Sequence, residues 1–276
     1  MLSYITWTFN PILFELGPRE IRWYGLCWAI GFLLGYYLAQ KIFKRERLPE
    51  EWADQLFIYV LVGAVVGARV GHCFFYDWAY YSKHLVEVLY IWQGGLASHG
   101  GAIGIIIAVY FYSKRIGRNM LWVFDRFMAS VCVGGAFIRL GNLFNHEIYG
   151  DPTDLPWGFA FVKNLSAWMR GAEPVFTEPS HPTQIYEIMY CLCTLALILF
   201  LYYRCNALRY EGLIFGVFLI GIFGTRFLIE FIKEPQEAFE ETMWLNMGQL
   251  LSIPFIVCGI YLIVRAWRAA ALSQAK

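Results

Sequence analysis

Residues 128–150 read "MASVCVGGAFIRLGNLFNHEIYG". Eleven apolar or small residues lead up to Ile138, and then an arginine, two asparagines, a histidine and a glutamate fall between 139 and 147. The first part suits hydrocarbon, where a backbone must satisfy its own polar groups and so forms a helix. The charged ending does not, because an arginine inside a membrane costs about 2.5–3.5 kcal/mol on insertion scales. The first part decides the fold class, and the second raises the question of what the polar cluster is for.

The rest of the chain agrees with a membrane setting. Of its 276 residues 59% are hydrophobic and 16% charged, with a mean hydropathy of +0.49. A soluble domain carries about 25% charged residues, so this chain has too little polar surface to stay in water. The expected class is an all-α integral membrane protein. The net charge of +1 points to no nucleic acid or acidic partner. The seven cysteines, at 27, 73, 132, 191, 193, 205 and 258, lie mostly in apolar runs and form no CxxC pair. They read as small packing residues rather than metal ligands or disulfides. The N-terminal stretch lacks the basic start and small-residue cleavage site of a removable signal peptide.

Hydropathy gives seven candidate transmembrane helices, at about 22–40, 56–75, 94–112, 121–141, 183–203, 211–231 and 246–265. Each is long enough for a hydrocarbon core of about 30 Å at 1.5 Å per residue. The third contains "GGLASHGGAIG", whose glycines weaken a helix and permit close backbone approach. The connecting segments 41–55, 113–120, 204–210 and 266–276, with Arg265, hold twelve lysines and arginines, against six on the other side. The positive-inside rule then puts the N-terminus outside and the C-terminus in the cytoplasm. Residues 142–182, punctuated by Pro and Gly, are the one connection long enough for a small cap, on the outer face. No internal repeat is visible, so residues 1–276 read as a single membrane domain.

Four arginines fall within or at the edge of these spans: Arg69, Arg126, Arg139 and Arg226. Arg126, beside Asp125 near the cytoplasmic end of its span, reads as a structural or snorkelling residue. The other three lie in outer halves of spans, Arg226 about 9 Å below its outer boundary. His72 and His99 also fall there, and Tyr24 and Arg22 lie near the outer surface. Five spans thus bring polar groups to one depth. If the helix continues past 139, Arg139, Asn142 and His146 share a face, with Asn145 beside it. Arg226 and Glu230 form an i, i+4 pair in which the acid can orient the guanidinium. Arginine forks and asparagine amides suit phosphate oxygens, so the cluster describes a site for an anionic lipid headgroup. His99 reads either as a helix–helix hydrogen-bonding residue or as a base. An imidazole of reference pKa about 6.5 can take the proton of a thiol of reference pKa about 8.5 once the two are aligned. His84 and His181 read as loop residues, and His146 has no assignment.

These stretches resemble the prolipoprotein diacylglyceryl transferase family. The residues that carry the likeness are "YGL" at 24–26, "GARVG" at 67–71, "GGLASHGGAIG" at 94–104, "RLGNLFNHEIYG" at 139–150, "HPTQIYE" at 181–187, "RFLIEFIKEP" at 226–235 and "MGQLLSIP" at 247–254. They keep the family's order across nearly the whole chain. The resemblance implies a seven-span bacterial inner-membrane enzyme with a periplasmic N-terminus and cap and a cytoplasmic C-terminus. Its reaction moves the diacylglyceryl group of phosphatidylglycerol to the lipobox cysteine thiol of a prolipoprotein signal peptide, leaving glycerol 1-phosphate. It implies no cofactor and no metal.

Position by position, the resemblance implies that Arg139 and Arg226 bind the lipid phosphate, with Asn142 assisting. Asn145, Glu147, Gly150, Glu230 and Arg69 would shape the site. Tyr24 and His99 match residues important for activity, His99 either as the base or as a group that positions substrate. One departure is Ile222, where the family often has a tyrosine four residues before the arginine. A channel or transporter would more often show internal repeats with helices broken at mid-membrane, and a metal-dependent alcohol phosphotransferase would need a paired-aspartate motif that is missing here. A purely structural scaffold would not need His99, Arg139 and Arg226 at one depth.

Overall fold

The computed structural model describes residues 4–17, 19–233 and 243–274. Six of its helices are long and apolar enough to cross a membrane: Trp23–Arg45 (α1), Glu50–Phe75 (α2), Met120–Phe144 (α5), Thr183–Arg204 (α7), the interrupted run Leu213–Ile232, and Met247–Leu272 within Met247–Gln274 (α10). The expected third span corresponds to Ser98–Arg115 (α4). It starts later than hydropathy suggests because Gly94 and Gly95 adopt φ of +87° and +70°, which helix cannot continue through. Its 18 residues rise about 27 Å, and its polar ends, Ser-His-Gly-Gly and Ser-Lys-Arg, keep its mean hydropathy below that of the other six.

The chain divides into two compact units. One is Tyr36–Phe127 and the other is Met1–Gly35 with Met128–Lys276. In the first, α2 and α4 pack along a seam of glycines, Gly63, Gly67 and Gly71 against Gly100 and Gly104. A Cβ added to Gly67 would overlap the Gly100 carbonyl, and one on Gly104 would overlap that of Gly63. The i, i+4 spacing puts the small residues on one face. Lipid tails are as apolar as leucine, so close backbone packing is what holds such a pair together. At one end of this unit Arg126 donates from Nε to Glu46 (2.9 Å) and caps the Trp122 ring at 3.7 Å. Its partner acid is thus Glu46 rather than the neighbouring Asp125, and the structural reading holds.

The loop between α2 and α4 contains a short helix, Trp78–Tyr81 (α3), and 3-10 turns at Leu85–Leu89 and Ile91–Gln93. Arg69 organises it. This buried guanidinium donates to the carbonyls of Val88 (2.9 Å), Gly94 (2.6 Å) and Glu87 (2.6 Å), and lies over the Tyr81 ring. Backbone oxygens of a connecting loop would otherwise lack partners near hydrocarbon.

The second unit opens with short strands that hydropathy did not reveal. Ile12–Leu16 (β2) pairs antiparallel with Arg19–Arg22 (β3), and α1 begins directly after it. Ile5–Thr6 (β1) pairs parallel with Phe159–Ala160 (β4). The stretch after α5 forms a small substructure from β4, a short helix Leu165–Trp168 (α6) and the bridges Pro152–Ser180 and Val162–Phe176. Its core is Leu143, Phe159 and Phe161, packed against Trp7, Leu140, Tyr149 and Ile185. The sixth span is not one regular helix. It passes from α-helix at Leu213–Leu219 (α8) through a π turn at Ile220–Gly224 to α-helix at Thr225–Ile229 (α9), then a 3-10 turn at Glu230–Ile232.

The glycine seam can be tested directly. Gly67→Ala is expected to cost about 1–3 kcal/mol, the range for overpacking, because the added methyl meets backbone. Gly101→Ala, whose nearest neighbour would be 3.4 Å away, is expected to be neutral or slightly stabilising. Thermal unfolding in detergent compares the two, and equal melting temperatures would refute the seam.

Candidate functional site

The polar residues of the second unit gather around one buried carboxylate. Glu187 lies in the second turn of α7 and is 0% exposed. The Arg139 guanidinium of α5 reaches it with Nε 2.6 Å from Oε2, and Lys233 Nζ lies 3.5 Å from Oε1. Lys233 also stands 3.6 Å from Glu230, which lies 3.4 Å from Arg226 Nε. Among the described residues neither Glu187 oxygen has a hydrogen bond of full geometry, so these are charge contacts. Such a charge in a dry interior stands only when paired. The result is an unbroken alternation: Arg226, Glu230, Lys233, Glu187, Arg139.

The Arg139 end continues through amides. Arg139 Nη1 donates to Asn142 Oδ1 (3.1 Å), and Asn142 Nδ2 donates to Glu147 Oε1 (2.8 Å). Asn145 donates to the same oxygen at 3.3 Å. Glu147 reaches back because the chain reverses there, with His146 at φ +53° and Ile148 at φ +62°. A left-handed β-branched residue is rare. Here Thr183 Oγ1 bonds the Ile148 carbonyl (2.8 Å) and Gln184 Nε2 bonds that of Glu147 (2.7 Å), which fixes the turn from the start of α7. Gly150 is required by close approach: a Cβ would overlap the Ile232 carbonyl, and Gly150 pairs with Lys233 across an antiparallel bridge. Tyr24, in the first turn of α1, packs on Gly141, where a Cβ would lie 2.8 Å from its Cδ2.

The Arg226 end is set by α10. Asn246 Oδ1 accepts from the Gln249 N–H (2.9 Å), and Gln249 Oε1 accepts from the Asn246 N–H (3.1 Å). This is a reciprocal capping box. The Asn246 amide also donates to Glu230 Oε2 at 3.1 Å, and a Cβ on Gly248 would overlap the Glu230 carboxylate. Glu230 therefore lies against the first turn of α10, where unpaired N–H groups favour negative charge. Three cations and two carboxylates leave the alternation with one positive charge in excess, while amides hold Glu147 aside. The Arg139 side chain is 19% exposed and that of Arg226 33%. Guanidiniums paired with carboxylates in this way keep further donors that suit phosphate oxygens.

Glu187, Lys233, Asn246 and Gln249 were absent from the sequence-based site. The signal for Glu187 is present in the sequence: an ionisable residue inside an apolar span is a site candidate by default. Lys233 had counted only as a loop charge. The expected sharing of a face by Arg139, Asn142 and His146 fails for His146, because α5 ends at Phe144. Instead the His146 ring bonds the Phe9 carbonyl through Nε2 (2.9 Å) and accepts the Val162 N–H at Nδ1 (3.1 Å). His146 therefore joins the N-terminal segment to the substructure after α5. In the other unit, His99 is exposed in the first turn of α4, and Arg69 is committed to loop carbonyls.

A family model described as prolipoprotein diacylglyceryl transferase matches residues 11–265. Curated proteins named phosphatidylglycerol--prolipoprotein diacylglyceryl transferase are similar over almost their full length. That of Porphyromonas gingivalis is 50% identical, covering 96% of this chain and 95% of its own. That of Chloroherpeton thalassium is 42% identical, covering 99% and 98%. The protein of Tolumonas auensis is also 42% identical, covering 94% and 96%.

Two outcomes are expected from this geometry. Glu187→Ala leaves Arg139 and Lys233 without their shared counter-charge and should cost about 3–5 kcal/mol of stability; a melting temperature within a degree of wild type would contradict the network. Burial pushes the His146 imidazole below its ordinary value of 6.5, with the bond to Phe9 opposing. The folded protein therefore prefers the neutral ring, and this contribution is complete above about pH 6.5 and lost as pH falls toward the lowered value. Thermal unfolding from pH 7.5 to 5 should decline more steeply for wild type than for His146→Gln, and parallel curves would count against the assignment.

Proposed function

The chain belongs to the prolipoprotein diacylglyceryl transferase family, and we propose that it is the transferase acting on phosphatidylglycerol and a prolipoprotein. The product is a thioether between the diacylglyceryl group and the lipobox cysteine of the signal peptide, with glycerol 1-phosphate released. This is the first step of lipoprotein maturation. The observation that supports the reading is the alternation Arg226–Glu230–Lys233–Glu187–Arg139, and in the proposed reaction its two terminal arginines bind the phosphate.

In the reaction the cysteine sulfur attacks carbon 3 of the glyceryl unit, and the bond from that carbon to the phosphate ester oxygen breaks. Charge then grows on the departing phosphate. Arg139 and Arg226 stabilise it there, where preorganised donors are worth about 10²–10³ in rate each. Glu187 and Glu230 keep both guanidiniums in place before substrate arrives, and Asn142 fixes the orientation of Arg139. The thiol proton passes to His99, the proposed base, and ends on the leaving phosphate monoester. Tyr24, Asn145, Glu147 and Gly150 shape the site, and Arg69 holds the loop that leads into the helix bearing His99.

The membrane arrangement goes with this reading. The protein is a bacterial multi-pass membrane protein, and we place it in the inner membrane with α4 as a seventh span. The N-terminus and the substructure after α5 face the periplasm, and the C-terminus faces the cytoplasm, as the lysine and arginine distribution requires.

Purified protein, phosphatidylglycerol and a lipobox peptide are expected to release glycerol 1-phosphate without added metal. Arg139→Ala should abolish release and weaken binding of phosphatidylglycerol, whereas His99→Ala should abolish release and leave lipid binding intact. Absence of release by folded wild-type protein would sink the reading, and equal loss of lipid binding in both variants would sink the division of roles.

A further inference from the structure

The π turn at Ile220–Gly224 sits directly before Thr225 and Arg226. A π turn places an extra residue in a helix, is less stable than α-helix, and persists only where something holds it. Three contacts hold this one. Gly221 faces α7, where a Cβ would lie 2.5 Å from Thr194 Oγ1 and 2.7 Å from its Cγ2. Phe223 stacks on Phe255 of α10 with ring centroids 4.2 Å apart. Thr225 Oγ1 donates to the carbonyl of Gly221 at 2.5 Å and lies 3.1 Å from that of Ile222, so its hydroxyl serves carbonyls inside the turn.

These contacts set rotation about the helix axis. Gly221 must face α7 and Phe223 must face α10, while Arg226 and Glu230 must point at Lys233 and the start of α10. One residue in an α-helix turns by about 100°. A regular helix through this segment could meet the first two demands only by rotating Arg226 and Glu230 away from the network. The extra residue reconciles them.

We propose that Thr225 is a positioning residue for the transfer reaction: its hydroxyl holds the π turn that aims Arg226 at the lipid phosphate. Thr225 does not touch substrate, and the proposal rests on Arg226 being a phosphate ligand. It also accounts for Ile222 without a side-chain hydroxyl at that position, since the hydroxyl that matters for aim is on Thr225.

The test uses full-length protein in phosphatidylglycerol-containing micelles. Glycerol 1-phosphate release is followed as a function of lipid concentration, and thermal unfolding is measured alongside. Thr225→Val keeps the shape and removes the hydroxyl. It is expected to lose roughly tenfold in kcat/KM, the scale of one hydrogen bond, with a melting temperature close to wild type, and Thr225→Ser should restore activity. Deletion of Ile222, which converts the turn to regular helix, should leave a folded protein at least 100-fold less active. Gly224→Ala, whose nearest neighbour would be Ile220 Cγ2 at 3.9 Å, is the control and should remain active. Wild-type activity in Thr225→Val, or full activity in a folded deletion variant, would overturn the proposal. If the deletion does not fold, the comparison of Val with Ser decides it. Failure of the functional reading is distinct, because wild type itself would then release no glycerol 1-phosphate.

Discussion

A single buried carboxylate governs the site. Glu187 is sealed from solvent, with Arg139 and Lys233 as its charged neighbours. An arginine and a lysine in apolar surroundings need a counter-charge. This one requirement brings α5, α7 and the end of the sixth span together. Once Glu187 is fixed, Lys233 is fixed, and with it Glu230 and Arg226. The two guanidiniums are therefore held by the protein's own charge balance, which is the condition for preorganised electrostatic stabilisation.

Backbone conformation does as much as side-chain chemistry in placing these charges. Two left-handed residues flank Glu147, a capping box seats Asn246 and Gln249, and glycines at 150 and 248 admit the Ile232 carbonyl and the Glu230 carboxylate. A substitution at any of these positions acts on Arg139 or Arg226 at second hand, by moving the element that carries it. Glycine has opposite uses in the two units. At Gly150 and Gly248 it makes room for polar groups, and along α2 and α4 it lets two helices close on each other where water supplies no driving force.

Much of this was legible in the sequence, for identifiable reasons. Long apolar runs report helices whatever their neighbours do, so the six longest spans are legible, although Trp23–Arg45, Glu50–Phe75 and Met247–Leu272 each extend well beyond the expected 22–40, 56–75 and 246–265. Arginines in such runs are costly enough to announce themselves, so Arg139 and Arg226 stand out in the sequence. What escaped was whatever depends on pairing across the chain. Glu187 and Lys233 look unremarkable alone, and their importance lies in each other. The short strands before α1 carry no periodicity of their own, because Ile5–Thr6 exists as a strand only through Phe159–Ala160. His146 was misplaced because periodicity cannot see that a helix stops two residues earlier. The π turn was invisible for the same reason: a glycine-flanked apolar run reads as helix, and the extra residue is decided by Thr194, Phe255 and Thr225.

The pairing of Ile5–Thr6 with Phe159–Ala160 also bears on the order in which the molecule can be built. The first strand leaves the ribosome long before its partner exists, and at about 5–20 residues per second the wait is roughly 8–30 s. Phe9, which accepts the His146 ring, and Trp7, which bonds the Leu143 carbonyl, wait with it. During that interval the opening residues have neither sheet partner nor core, while the helices behind them are already being made. The strand Ile5–Thr6 thus waits for its native contacts, and the substructure that contains β4 closes only after α5 is complete.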